Sequence, residues 1–144
     1  RPPPAHPDLM KTTLAFGAII GLLAIPLDTT LHHVLSTTLP QHAIKTLTIA
    51  IHYQQYYALL ITLLSLLIAC PIPPSLSRRL QLSLYPFICG TVLFCGSIEV
   101  HYLAHFTPPI PVAPIGGTLL MLGWLILLSI TFLKHPPPAK DTSL

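Results

Sequence analysis

The sequence predicts an all-α integral membrane protein: a four-transmembrane-helix bundle with short Pro-rich loops and disordered Pro-rich termini. Three observations lead there. Of 144 residues, 52% are hydrophobic and only 8% charged, against roughly a quarter charged in a soluble domain, and the mean hydropathy is +0.72. So few charges cannot cover a water-facing surface. The apolar residues also come in blocks of roughly 18 or more, the length that crosses hydrocarbon. Finally, runs such as "ALLITLLSLLIAC" lack the alternation that a membrane barrel needs over strands of about 10 residues.

Each span has recognisable limits. The first follows "HPDLMK", with Asp8 as a candidate N-cap, and covers about 8–31, with Pro26 as a kink or an end. The second covers about 43–70 and is stopped by "PIPP". Because 51–70 alone spans a bilayer, residues 41–51 are expected to lie along the membrane surface first. The third runs from about 80 to 106, with Pro86 as a kink or as the start of its buried part. "TPPIPVAP" then breaks the chain. Pro114 suits the first turn of a fourth helix over about 114–133, and "KHPPP" ends it. Residues 1–144 thus read as one membrane domain with tails at 1–7 and 134–144.

Lys and Arg near span ends set orientation. Arg1, Lys11, Arg78, Arg79, Lys134 and Lys140 fall on one side and only Lys45 on the other. Both termini are therefore expected to face the cytoplasm of a bacterial inner membrane or the matrix of a mitochondrial one. The net charge of +3 comes from scattered residues, so no nucleic-acid footprint emerges.

That topology gathers polar residues at the outer end of the bundle: Asp28, His32, His33, His42, His52, Glu99, His101 and His105. On a helix turning about 100° per residue, Glu99 shares a face with Cys95, Gly96, Tyr102 and Leu103, while His101 lies about 200° away. At about 1.5 Å per residue, Glu99 sits about 10 Å below Phe106, too deep for its carboxyl to reach the surface easily. It is expected to face the bundle interior, because a lipid-facing charge costs at least ~2.5 kcal/mol. There its carboxyl is either neutral or paired with a cation such as His32, His33, His52 or Lys45.

His101 and His105 stand i, i+4 apart and can chelate a metal in that spacing, with no third ligand fixed by the sequence. Haem would need one axial histidine from each of two helices at matched depth, and His52 with His101 is the pair that meets this requirement on paper. The sequence requires no cofactor. Cys70, Cys89 and Cys95 lack CxxC spacing and read as small buried packers. No nucleophile motif, phosphate-binding glycine loop or HExxH occurs, so an enzyme is not supported.

Packing signals are plainer. "GAIIG" places Gly17 and Gly21 on one face of the first helix for close helix contact, and the face bearing Gly96 offers the same on the third. Gly116, Gly117 and Gly123 add to it on the fourth, with Trp124 beside the last. The second helix carries His52, Gln55, Thr62 and Ser65 as a stripe expected to face other helices. Tyr53, Tyr56 and Tyr57 read as part of an aromatic belt.

"HHVLS", "YQQYYALLI", "GTVLFCGSI" and "APIGGTLLMLGWLILL" occur in this order over about 14–133. The chain thereby resembles the family called domain of unknown function 423, which includes transmembrane protein 256. The resemblance implies four spans and assigns no activity. His33, Tyr53, Gln54, Gly96, Ser97, Pro114, Gly116, Gly117, Gly123 and Trp124 match family positions. Departures are "LDTTLHH" for a Gly- and Ala-rich stretch, Tyr57 at a histidine position, "FCGS" for "FSGS", and Glu99 for a tyrosine, so Glu99 and Asp28 stand outside the resemblance.

Two function classes follow. The first is a non-catalytic accessory or structural subunit of a larger membrane complex, held by lipid and by other membrane subunits through its small-residue faces. The second is binding of a metal, haem, quinone or proton-coupled solute by the outer polar cluster.

Overall fold

The computed structural model describes residues 7–106 and 111–133. Four helices follow one another: α1 (Pro7–His33), α2 (Gln41–Ala69), α3 (Pro74–Leu103) and α4 (Val112–Leu128). Single 3₁₀ turns follow α1 at Leu35–Thr37 and α4 at Ser129–Phe132, and no strand occurs among the described residues. All four helical segments are long and apolar enough to cross a membrane. The tails, with Arg1, Lys134 and Lys140, and residues 107–110 lie outside the described residues.

The helix limits differ from the expected ones where cap chemistry acts. Asp8 sits inside the first turn of α1, where its charge meets the positive end of the helix dipole. α3 begins at Pro74, since a proline in the first turn forfeits no hydrogen bond that the helix would make. It also stops at Leu103, because His105 takes φ +52°, a left-handed conformation that ends a helix. Pro26 and Pro86 are both carried within their helices. Residues 41–51 form no separate surface segment. They open α2, and Ala43, Leu47, Ala50 and Ile51 are buried.

α1 packs on α2, α2 on α3 and α3 on α4, whereas α1 and α4 make no comparable contact. The array is a row with α2 and α3 at its centre. One apolar cluster joins Tyr57, Ile61, Leu64 and Ile68 of α2 to Leu80, Leu84 and Phe87 of α3 and Leu120 of α4. A second joins Ala24 and Leu31 of α1 to Leu47 and Ile51 of α2, with Ile98 and Tyr102 of α3 against it. Ile19, Leu22 and Ile25 of α1 and Met121, Leu125 and Leu128 of α4 are exposed, as lipid-facing residues must be.

Backbone approach at glycines sets the row's spacing. A Cβ added at Gly116 would strike the Phe94 backbone, and one at Gly123 would meet the Phe87 ring at 2.6 Å. At Gly17 it would meet Thr62 Oγ1 at 2.5 Å and the Ala58 carbonyl at 3.1 Å. Gly90, which the sequence reading did not single out, lies against Leu120 and the Gly116 carbonyl. Gly21 and Gly117 make only ordinary contacts, with Ala58 and Phe94, and Gly96 meets nothing within 4 Å.

Polar contacts tie the same pairs. Ser65 donates to Thr13 Oγ1 at 2.7 Å, and Thr13 donates to the Leu9 carbonyl at 2.9 Å, closing α1 on α2 near the end of the bundle where α1 begins. Gln54 Nε2 donates to the Ile20 carbonyl at 3.1 Å. Arg79 donates to the Ser129 carbonyl, placing a cation at the C-terminal end of α4, where the dipole favours it.

Candidate functional site

The up-and-down order brings the end of α1, the start of α2 and the end of α3 together at the end that carries the α1–α2 connection. There the polar residues divide into two groups rather than one.

The first group lies between helices. Glu99 is half-buried, and its Oε1 is removed from solvent with no hydrogen-bond partner among the described residues. Asp28 Oδ1 and Gln54 Oε1 share that condition. Asp28 lies between Ala24 and Leu31 on the α1 face that packs on α2, and His32 Nε2 approaches its Oδ1 at 3.5 Å from the next turn. That distance permits an ion pair when the imidazole is protonated, though it is long for a hydrogen bond. Gln54 is 3% exposed, whereas His52, of the expected stripe, is exposed and tilted on Tyr56.

The second group is a depression of about 220 Å³ lined by Leu39, Pro40, Ala43, His101, Tyr102 and His105. α2 supplies its apolar floor because Ala43 follows directly on the Pro40 turn. α3 supplies the rings. Tyr102 stands edge-on to His101 at 4.7 Å and to His42 at 6.5 Å between centroids. Since α3 ends at Leu103, His101 and His105 are not a helical i, i+4 pair. The left-handed turn at His105 brings them to the same depression instead.

Several expected groupings do not form. His33 is exposed at the end of α1 and lines no part of the depression. His101 lies opposite Ala43, while His52 is nine residues along α2, about 13 Å deeper, so the two do not sit at matched depth for haem. Among the described residues, no group of three or more His, Cys, Asp or Glu side chains could hold a metal ion. Cys95 is buried, but Cys70 and Cys89 are exposed. Tyr57 is buried as well, leaving Tyr53 and Tyr56 as the exposed rings of α2. The Leu39–Pro40 turn went unnoticed in the sequence, since only the fold sets it against Tyr102 and the end of α3.

Four apolar helices, internally satisfied by short hydroxyl-to-carbonyl bonds and packed through glycines, define a small polytopic membrane protein. The chain belongs to the family described as Protein of unknown function (DUF423), whose model matches residues 29–117. It is 32% identical to the UPF0382 inner membrane protein YgdD of Escherichia coli K12, over 80% of this chain and 85% of that protein. It is 27% identical to the UPF0382 membrane protein SAB0533 of Staphylococcus aureus, over 85% of this chain and 97% of that one. No solved structure matches significantly. The chain is therefore a membrane protein of a family to which no activity is attached.

Proposed function

We propose that this protein is a non-catalytic accessory or structural subunit of a larger membrane complex, completed by a neighbouring helix at the Gly96–Glu99 face of α3. One observation carries this reading. Glu99 Oε1 is withdrawn from solvent without a hydrogen-bond partner among the described residues, and one turn away the space over Gly96 is open. A carboxyl group in that position costs free energy until a donor reaches it, and a glycine notch admits a second backbone closely enough to bring one. The row arrangement agrees, because α1 and α4 do not close on each other. By the distribution of basic residues, the protein sits in a bacterial or mitochondrial inner membrane with both termini on the cytoplasmic or matrix side.

Native electrophoresis of mildly solubilised membranes tests this. The chain is expected to migrate in a larger assembly and to be released by Gly96→Leu, which fills the notch from a position where an added Cβ meets nothing within 4 Å. Migration alone as the parent, or an assembly indifferent to Gly96→Leu, defeats the reading.

The second reading, a solute or proton-coupled ligand at the outer end, draws on the same unpartnered oxygens of Asp28, Gln54 and Glu99. A Glu99→Gln chain that stays assembled but loses a solute-dependent signal would favour it.

A further inference from the structure

We propose that the open face of α3 pairs with the same face of a second copy of this chain, so that two Glu99 carboxyl groups meet across a two-fold axis along the membrane normal. This rests on the reading of the Gly96–Glu99 face as a subunit contact and names the partner that fills it.

Spacing comes first. Cys89, Gly96 and Leu103 recur along α3 at heptad intervals, and Tyr85, Val92 and Glu99 do the same between them. Steps that alternate between four and three residues keep a stripe on the shared side of two helices wound left-handedly round each other. From Tyr85 to Leu103 the stripe is about 27 Å long at ~1.5 Å per residue, most of the thickness of the hydrocarbon. Little of it is used inside the chain. Tyr85 is 56% exposed, Val92 47% and Leu103 38%, Cys89 is exposed, and a Cβ on Gly96 would meet nothing within 4 Å. Glu99 is half-buried at its margin.

Composition sets this face apart from the faces that meet lipid. α1 exposes Ile19, Leu22 and Ile25, and α4 exposes Met121, Leu125 and Leu128, all of them large side chains. The α3 stripe is small at its middle, at Cys89 and Gly96, and small residues let a second helix backbone approach closely. Glu99 is the other difference. Its Oε1 has no hydrogen-bond partner among the described residues, and a carboxyl group within a spanning helix costs free energy until it has one.

A second copy supplies the missing group by symmetry. Copies inserted with one topology lie parallel, and a two-fold axis along the membrane normal brings each residue of the stripe to itself at the same depth. Gly96 then meets Gly96, and Glu99 reaches Glu99 by a change of rotamer. Two carboxyl groups so placed share a proton, one donating and the other accepting. A different partner has to bring its own donor to that depth, and nothing on the stripe specifies one. Arg78 limits the contact. It is the next position of the stripe beyond Tyr85 and is exposed, and like charges facing each other there oppose pairing, so the contact stops at Tyr85.

The test uses the full chain in its native membranes with Cys89 as its one cysteine, Cys70 and Cys95 being replaced by alanine. Helices packed at about 8–10 Å between axes, less two Cα radii of about 2.3 Å, place the two Cys89 Cα atoms about 4–6 Å apart, within disulfide reach. Oxidation by copper phenanthroline is expected to give a disulfide dimer that carries both tags when two differently tagged copies are co-expressed. Leu103→Cys in a Cys89→Ala chain should do the same, so the result does not depend on one variant. Leu125→Cys, at a position 61% exposed on α4, reports chance collision and should give far less dimer. Glu99→Ala should lower the Cys89 yield about threefold or more, the effect of one interhelical hydrogen bond, whereas Glu99→Gln, whose amide both donates and accepts, should keep it. A Cys89 yield no higher than that of Leu125→Cys, a disulfide to a different protein in place of the dimer, or equal yields from Glu99→Ala and the parent would overturn the proposal. The subunit reading survives these results if a photo-reactive probe at Val92 still joins another polypeptide, and lipid adducts alone from that probe overturn both.

Discussion

The indole Nε1 of Trp124 on α4 donates to the phenol oxygen of Tyr57 on α2 at 3.1 Å, although α3 lies between these helices. Phe87 of α3 fills the intervening space, 5.6 Å between centroids from each ring. The approach is possible because Gly123, next to Trp124, has no side chain to meet Phe87. One bond thus ties α4 to α2 across a helix, and three residues from three helices become a single packing unit.

Trp124→Phe removes that donor while keeping an aromatic ring. The expected loss is about 0.6 kcal/mol, up to ~1.7, the range of interhelical hydrogen bonds in membrane proteins. Tyr57→Phe should cost a similar amount, and the double variant little more than either one, because both remove the same bond. Reversible unfolding in mixed micelles measures all three.

The glycines divide by what lies over them. Gly116→Ala and Gly123→Ala force a methyl into the Phe94 backbone and the Phe87 ring, so each should cost ~1–3 kcal/mol by overpacking. Gly96→Ala meets open space and exchanges glycine for the best helix former, a gain of up to ~1 kcal/mol. Thermal melts of the isolated chain should therefore rank Gly96→Ala at or above the parent and the other two below it.

Orientation is accessible to labelling. With Cys70, Cys89 and Cys95 replaced, single cysteines at Thr38, exposed in the α1–α2 connection, and at Ser75, exposed in the first turn of α3 at the opposite end of the bundle, should react from opposite sides of the membrane. Ser75 should react from the side rich in Lys and Arg. Reaction of both from one side would refute the topology.

The spans were legible because apolar length and proline punctuation are properties of the chain alone. Their contacts were less so. Gly96 and Gly116 look equivalent in sequence, and only the row order of the helices decides that Phe94 lies over one and nothing over the other. Gln54, rather than His52, joined Ser65 as a buried polar residue of α2 because Ala50, Ile51, Gln54, Tyr57, Ala58 and Ile61 form the inward face. A continuous apolar background hides such a face, since lipid-facing and buried positions share one composition. The histidine pair misled for a local reason. The i, i+4 reading assumed a helix through 105, and a left-handed residue without glycine leaves no sequence signal.

The central claim is that a second polypeptide seats on the Gly96–Glu99 face, and photo-crosslinking from that face tests it most directly. A benzophenone amino acid in place of Val92, 47% exposed and one turn from Gly96 on α3, leaves the glycine notch open, and the same probe at Leu22, 69% exposed on α1, serves as the lipid-facing control. The account predicts, on irradiation of native membranes, a discrete protein adduct from position 92 and only lipid adducts from position 22. Lipid adducts alone from both positions would contradict it.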